Sequence, residues 1–98
     1  MIDYYCWIRN IGSDDFHKIL KNSSICDENN CKYNEKSAEL CMLTSQNKLQ
    51  INNIEDIFND LESIVDKKLD CHINVQDTES KAELSVVQQN GVRSIKRP

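Results

Sequence analysis

Residues 1–22, MIDYYCWIRNIGSDDFHKILKN, predict a strand followed directly by a helix. The stretch Ile2–Ile11 is rich in aromatic and β-branched residues, which favour strands, and it stops at Gly12. Successive side chains of a strand point to opposite faces of the sheet. One face of this strand therefore carries Tyr4, Cys6 and Ile8, and the other carries Tyr5, Trp7 and Arg9.

The helix that follows is expected to run from Asp14 to about Asn22. Ser13 precedes it, and a serine oxygen at this position accepts a hydrogen bond from an unpaired amide of the first turn. The apolar stripe of this helix consists of Phe16, Ile19 and Leu20. The chain then becomes polar, and the sequence DENN at 27–30 predicts a flexible turn.

A second helix is predicted over residues 53–68. Its apolar residues recur at intervals of three and four, which places them on one face of an α-helix. They are Ile54, Ile57, Phe58, Leu61, Ile64 and Val65. Phe58 and Leu61 lie at the centre of this stripe and are predicted core residues. Either Asn52 with Glu55 or Asn53 with Asp56 has the spacing of a helix cap, and the lysines at 67 and 68 suit the other end of the helix dipole.

The rest of the chain predicts further strands. The candidates are residues 31–33, 38–43, 71–76 and 82–88. The dipeptide Asn90–Gly91 tolerates positive φ at both positions and predicts a tight hairpin that pairs Val86 with Ile95. This order of elements is typical of an α+β fold, a ferredoxin-like (split βαβ) antiparallel sheet with two helices on one face and an additional C-terminal β-hairpin. We expect residues 1–98 to form one small domain.

Composition excludes several classes of protein. The chain has 98 residues, of which 39% are hydrophobic, and a net charge of -4, as an ordinary soluble domain does. Its longest apolar run, Tyr4–Ile8, is far short of the ~20 residues of a membrane-spanning helix, and no secretory signal is predicted. The cysteines are odd in number and widely spaced, which favours free thiols in a reducing, cytoplasmic compartment.

The sextet CWIRNI at 6–11 resembles the first-strand signature of RNA-recognition motifs, in which an apolar, an aromatic and an apolar residue, any residue, asparagine and an apolar residue follow one another. The resemblance implies a sheet with one open face and makes Trp7 the base-stacking aromatic on it. The neighbouring strand of such modules carries two further aromatic residues, which KSAELCML at 36–43 lacks. Single-stranded nucleic acid is therefore an alternative partner but not the expected one, since the net charge gives no general attraction for phosphates.

No catalytic or cofactor site is predicted. Cys71 and His72 are neighbours on a strand, so they point to opposite faces and cannot form a catalytic dyad. His17 is expected to be a solvated histidine of the first helix. Gly12 and Gly91 are the only glycines of the sequence, which excludes a glycine-rich phosphate loop.

A zinc-stabilised adaptor is a further alternative. The available ligands are Cys26, Cys31, Cys41, Cys71 and His72. Structural zinc sites use ligand pairs separated by about two to four residues, and this sequence offers one loosely spaced pair. The cysteines on strands, Cys6, Cys41 and Cys71, are instead expected to be buried as small hydrophobic residues. No metal or cofactor is therefore predicted.

Two surfaces are candidate partner-binding sites. One is the strand face with Tyr5, Trp7 and Arg9, which stays open if both helices cover the other face. The other is the acidic second helix, with Glu55, Asp56, Asp60 and Glu62. Complementary charge would steer that helix onto a basic protein. We therefore predict a small acidic protein, not an enzyme, that binds another protein as an inhibitor of the immunity, anti-defence or viral antagonist type; a homodimer is compatible with the same surfaces.

Overall fold

The computed structural model describes residues 2–23, 25–44, 53–65 and 69–98. Its elements are β1 (Ile2–Arg9), α1 (Ser13–Asn22), β2 (Cys31–Asn34), β3 (Glu39–Leu43), α2 (Ile54–Ser63), β4 (Cys71–Asp77), β5 (Glu83–Gln89) and β6 (Val92–Lys96). Within these ranges the strands form one antiparallel sheet in the order β2-β3-β1-β4-β5-β6. The predicted α+β class is confirmed.

One face of the sheet carries the hydrophobic core. Tyr4, Cys6 and Ile8 of β1 are buried, as the alternation of the strand predicted. Cys6 pairs with Met42 of β3 on one side and with Ile73 of β4 on the other, and both partners are buried too. Because the apolar positions of neighbouring strands lie side by side, they form a continuous surface on which the helices pack.

α2 begins where the sequence predicted. Asn53 Oδ1 accepts a hydrogen bond from the Asp56 backbone N–H at 2.8 Å, and Asn53 Nδ2 donates to Asp56 Oδ2 at 2.8 Å. The cap predicted for this pair is therefore confirmed. Phe58 and Leu61 are buried together with Ile57, so the predicted core residues are confirmed as well.

The C-terminal end of α2 lies earlier than predicted, at Ser63. The backbone N–H of Ile64 bonds to the Leu61 carbonyl at 3.3 Å, and that of Val65 bonds to the Glu62 carbonyl at 3.2 Å. These three-residue contacts tighten the last turn and end the α-helical pattern. Asn52, Lys67 and Lys68 lie outside the described residues.

α1 packs on the same face of the sheet as α2, above β2. The Phe16 ring stacks on Tyr33 of β2 with 4.8 Å between centroids and 13° between planes, and Ile19 is buried in the core. The helix includes Ser13, because Gly12 has the extended backbone of the N-cap residue. Within α1 no side chain makes the cap hydrogen bond, so the predicted Ser13 cap is wrong.

Two strands are shorter than predicted because the backbone takes positive φ beside them. Asn10 has φ 62° and Ala38 has φ 55°, which is the left-handed region and is incompatible with a strand. β1 therefore ends at Arg9, and β3 begins at Glu39 instead of Ala38. The Ile11 backbone N–H bonds to the Ala38 carbonyl at 3.0 Å and joins the two turns.

The turn at 27–30 is anchored to the core through Asn30. The Asn30 side chain is buried and its amide donates to the carbonyls of Ile25 at 2.7 Å and Leu43 at 3.1 Å. Its Oδ1 accepts from the Asp27 backbone N–H at 2.7 Å. One side chain thus ties the turn predicted as flexible both to β3 and to the segment after α1.

Asn30→Ala is expected to lower the free energy of unfolding by about 1–3 kcal/mol, because the carbonyls of Ile25 and Leu43 and the Asp27 backbone N–H each lose a hydrogen-bond partner. Urea denaturation followed by circular dichroism measures the change. Asn29→Ala is the matched control, since Asn29 is exposed in the same turn, and we expect it to stay within about 0.5 kcal/mol of the parent. Equal unfolding midpoints for the two variants would contradict the anchoring role of Asn30.

The C-terminal hairpin extends the sheet sideways. Asn90 and Gly91 take φ 52° and 79°, and Val86 pairs with Ile95, as the hairpin signal predicted. β6 lies beside β5 at the edge, so the hairpin does not fold over the face that carries Trp7. Among the described residues, no helix has the length and apolar character needed to cross a membrane.

Candidate partner-binding surface

The open sheet face is the surface of the sheet that points away from both helices. The strand registers place residues of all the strands on it, and the predicted Tyr5, Trp7 and Arg9 lie together near its middle. Its principal members are Lys32, Glu39, Cys41, Leu43, Asp3, Tyr5, Trp7, Arg9, His72, Asn74, Glu83, Val87 and Lys96.

Trp7 lies at the centre of the open sheet face. The registers place it between Cys41 on β3 and His72 on β4. Its Nε1 donates a hydrogen bond to Glu39 Oε2 at 3.0 Å, and the ring remains half-buried. A ring whose orientation is already fixed loses less conformational freedom when a partner covers it. Trp7 is therefore preorganised for contact.

Tyr5 and His72 complete an aromatic cluster around Trp7. The Tyr5 ring meets the His72 ring edge-on, with 5.7 Å between centroids and 75° between planes. Burial, followed by the proximity of Cys41, raises the pKa of Tyr5. The hydroxyl consequently stays neutral and offers a proton donor at the edge of the cluster.

Cys41 is half-buried, whereas Cys6 and Cys71 are buried. The prediction that Cys41 is buried in the core is therefore wrong. Leu40 and Met42 take the core side of β3, which leaves Cys41 on the open sheet face. Its thiol gives this surface a natural site for chemical labelling.

A groove of about 570 Å³ lies along the open sheet face beside Trp7. Its walls include Lys32 and Glu39, and one end is formed by the β2–β3 turn at 34–37. Ligand clefts in proteins commonly have volumes of about 300–1,000 Å³. The groove is large enough to receive a side chain of a partner next to the indole ring.

The aromatic cluster is surrounded by exposed apolar residues and by equal numbers of positive and negative side chains. Leu43 beside Tyr5 is 57% exposed, and Val87 beside His72 is 44% exposed. The charged residues of the open sheet face are Arg9, Lys32 and Lys96 against Asp3, Glu39 and Glu83. An aromatic centre without net charge matches the composition of protein–protein interfaces better than that of phosphate-binding surfaces.

The acidic candidates of α2 lie in the helix layer, on the other side of the sheet from Trp7. Asp56 forms the N-terminal cap with Asn53, and Glu62 forms an ion pair with Arg93 of β6. Glu55 is exposed and Asp60 is half-buried. At least two of the four carboxylates therefore contact groups of the fold itself. The structure separates the predicted site residues into two distant surfaces.

The five ligands of the zinc alternative also lie on two sides of the sheet. Cys41 and His72 lie on the open sheet face, whereas Cys26, Cys31 and Cys71 are buried in the core. In the part of the chain that the structure describes, no group of three or more histidine, cysteine or acidic residues is placed to hold a metal ion. The ligand set assembled from the sequence is therefore wrong.

The residues that adjoin Trp7 from other strands were not predicted from the sequence. Alternation along β3 separates Glu39 and Cys41 from the core positions, so the signal for their common face was present. Their contact with Trp7 depends on which strands pair and in which register, and no single segment encodes that. No family model, curated protein or solved structure matches this chain.

Proposed function

We propose that this protein is a small intracellular binding module that inhibits another protein by stoichiometric contact through its open sheet face. The observation that carries the proposal is the position of Trp7, which Glu39 holds at the centre of a face left uncovered by α1, α2 and the hairpin. Tryptophan, tyrosine and arginine are the side chains that most often dominate the free energy of protein association. Tyr5 and Arg9 flank Trp7 on the same face.

The proposed partner is a protein with a basic surface and an apolar patch. The net charge of -4 favours the approach of a basic protein, because complementary charge raises the association rate. The apolar patch would cover Trp7, Leu43 and Val87 once the two proteins are in contact. In this division of roles, Glu55 and the other acids of α2 contribute to steering and the open sheet face contributes the contact.

Binding of single-stranded nucleic acid is the second candidate function. Trp7 on an open face favours it, since bases stack on exposed aromatic rings. The balanced charge of the same face disfavours it, because phosphate binding needs an excess of cations. A salt-dependent mobility shift with single-stranded RNA that Trp7→Ala abolishes would support this candidate over the first.

We also propose that the inner part of the fold is a ferredoxin-like split βαβ unit. The partial order β2-β3-β1-β4 and the position of both helices on one face support this assignment. β5 and β6 extend the sheet beyond the four strands of such a unit, so the complete strand order differs from it.

A photo-crosslinking amino acid in place of Val87 tests the proposed function in cells of the native host. Val87 is exposed on the open sheet face, and Glu55, exposed on α2, is the matched control position. We expect the Val87 position to give one defined crosslink to a different protein and the Glu55 position to give little.

Three outcomes would contradict the proposal. They are crosslinking from the Glu55 position alone, a covalent dimer of this chain as the sole product, and no crosslink at either position. Mass spectrometry of the crosslinked peptide identifies both partners. A crosslink to nucleic acid from the Val87 position would favour the second candidate function.

A further inference from the structure

A second groove, of about 640 Å³, lies beside α1 and on the helix side of the sheet. Phe16, Leu20 and Lys21 line it from α1, and Cys26 and Cys31 line it from the other side. The two cysteines are only 5% and 4% exposed. The groove therefore provides the path by which a small molecule reaches them.

The fold holds the two thiols together. Cys26 and Cys31 line the same groove, and only four residues separate them in the chain. Between them, the Cys31 backbone N–H bonds to the Asp27 carbonyl at 3.1 Å, and Asp27 Oδ1 accepts from the amides of Asn29 at 2.7 Å and Asn30 at 3.1 Å. These bonds close the turn that separates the two cysteines, so their proximity is built into the backbone.

The two thiols are chemically unequal. The neighbouring Cys31 thiol lowers the pKa of Cys26, against the opposing effect of burial, because it stabilises the thiolate. The neighbouring Cys26 raises the pKa of Cys31. Burial raises the pKa of Cys6 and Cys71. Since the thiolate is the reactive form of cysteine, Cys26 is the expected nucleophile of the pair.

We propose that Cys26 and Cys31 form a dithiol site that reduces small-molecule disulfides and becomes an intramolecular disulfide. The Cys26 thiolate attacks one sulfur of the substrate R–S–S–R, whose S–S bond breaks as a mixed disulfide forms and one thiolate leaves. Cys31 then gives up its proton and attacks the Cys26 sulfur, which releases the second thiolate. The protein dithiol loses two electrons, and the two released thiolates take up the two protons as R–SH.

The walls of the groove indicate the kind of disulfide that fits. Phe16 and Leu20 offer an apolar wall, and Lys21 offers a cation for a carboxylate of the substrate. Asp27 and Glu28 on the turn would face an ammonium group. Glutathione disulfide carries carboxylates and ammonium groups and is the probe that we would use.

The test uses Cys41→Ser protein throughout, which removes the half-buried thiol of the open sheet face. Reduced protein is incubated with glutathione disulfide, quenched with acid, denatured, alkylated and analysed by mass spectrometry. We expect a disulfide between Cys26 and Cys31, while Cys6 and Cys71 are recovered as alkylated thiols. In the same background, Cys31→Ser should accumulate glutathione on Cys26, and Cys26→Ser should be modified at Cys31 at least ~10-fold more slowly.

The proposal is overturned if no Cys26–Cys31 disulfide forms in the Cys41→Ser protein. Faster glutathione addition at Cys6 or Cys71 than at Cys26 would overturn it as well. So would preferential trapping on Cys31, since the lowered pKa assigns the nucleophile to Cys26. Circular dichroism establishes whether each serine variant is folded. If the Cys26→Ser or Cys31→Ser variant does not fold, formation of the Cys26–Cys31 disulfide in the protein that keeps both cysteines tests the proposal.

Discussion

Phe58→Ala is expected to lower the free energy of unfolding by about 3–5 kcal/mol. Phe58 is 2% exposed and packs with Ile57 and Leu61 on the core face of the sheet, where α2 contacts β4 and β5. Loss of the ring leaves a cavity that the hydrogen-bonded strands cannot move to fill. Small domains have stabilities of about 5–15 kcal/mol, so this variant should be close to unfolding. Urea denaturation followed by far-UV circular dichroism measures the loss.

Asn59→Ala is the matched control for this prediction, because Asn59 is the exposed neighbour on the same helix. We expect it to stay within about 0.5 kcal/mol of the parent. Ile57→Val offers a milder core change, with an expected loss of about 0.5–1.5 kcal/mol, if Phe58→Ala does not fold. Unfolding of Phe58→Ala and Asn59→Ala at one urea concentration would contradict the packing of α2.

The parts of the fold that depend on periodicity were predictable from the sequence. The spacing of Ile57, Phe58 and Leu61 identified the buried side of α2, and alternation identified the buried side of β1. The positive φ tolerated by Asn90 and Gly91 identified the hairpin. Each of these signals lies within one short segment and reflects one burial preference.

The features that depend on distant backbone groups were not predictable. Asn30 was placed in a flexible turn because its sequence neighbours are polar, whereas its donors meet carbonyls of Ile25 and Leu43. Ala38 fits a strand by composition but takes a positive φ. The end of α2 at Ser63 also departs from an apolar pattern that continues to Val65.

The candidate site was predictable only in part, for the same reason. Alternation placed Tyr5, Trp7 and Arg9 on one face, and the structure gives them neighbours from β3 and β4. The Trp7–Glu39 hydrogen bond joins side chains 32 positions apart in the chain. The spacing of Cys26 and Cys31 was visible in the sequence, but their shared groove depends on the turn between them.

Trp7→Ala is expected to weaken partner binding by about 2 kcal/mol, or ~30-fold in Kd, while the protein stays folded. The side chain belongs to the open sheet face and not to the core, so its removal takes away contact area and the bond to Glu39 without opening a core cavity. Trp7→Phe keeps an aromatic ring and loses the Nε1 donor, so its Kd should rise by less than ~10-fold. Circular dichroism and urea denaturation of both variants establish that the fold is retained.

The contact surface is decided by the Kd of the crosslinked partner for the parent protein, for Trp7→Ala and for the double variant Glu55→Gln/Asp60→Asn. We predict the ~30-fold rise for Trp7→Ala alone, with the double variant changing mainly the association rate and its salt dependence. In the same complex, the partner should protect the Cys41 thiol from alkylation, a readout that does not require any Trp7 variant. The opposite result would be an unchanged Kd for Trp7→Ala, alkylation of Cys41 in the complex, and a large loss of affinity in the double variant. It would contradict the proposed contact through the open sheet face and place the contact on α2.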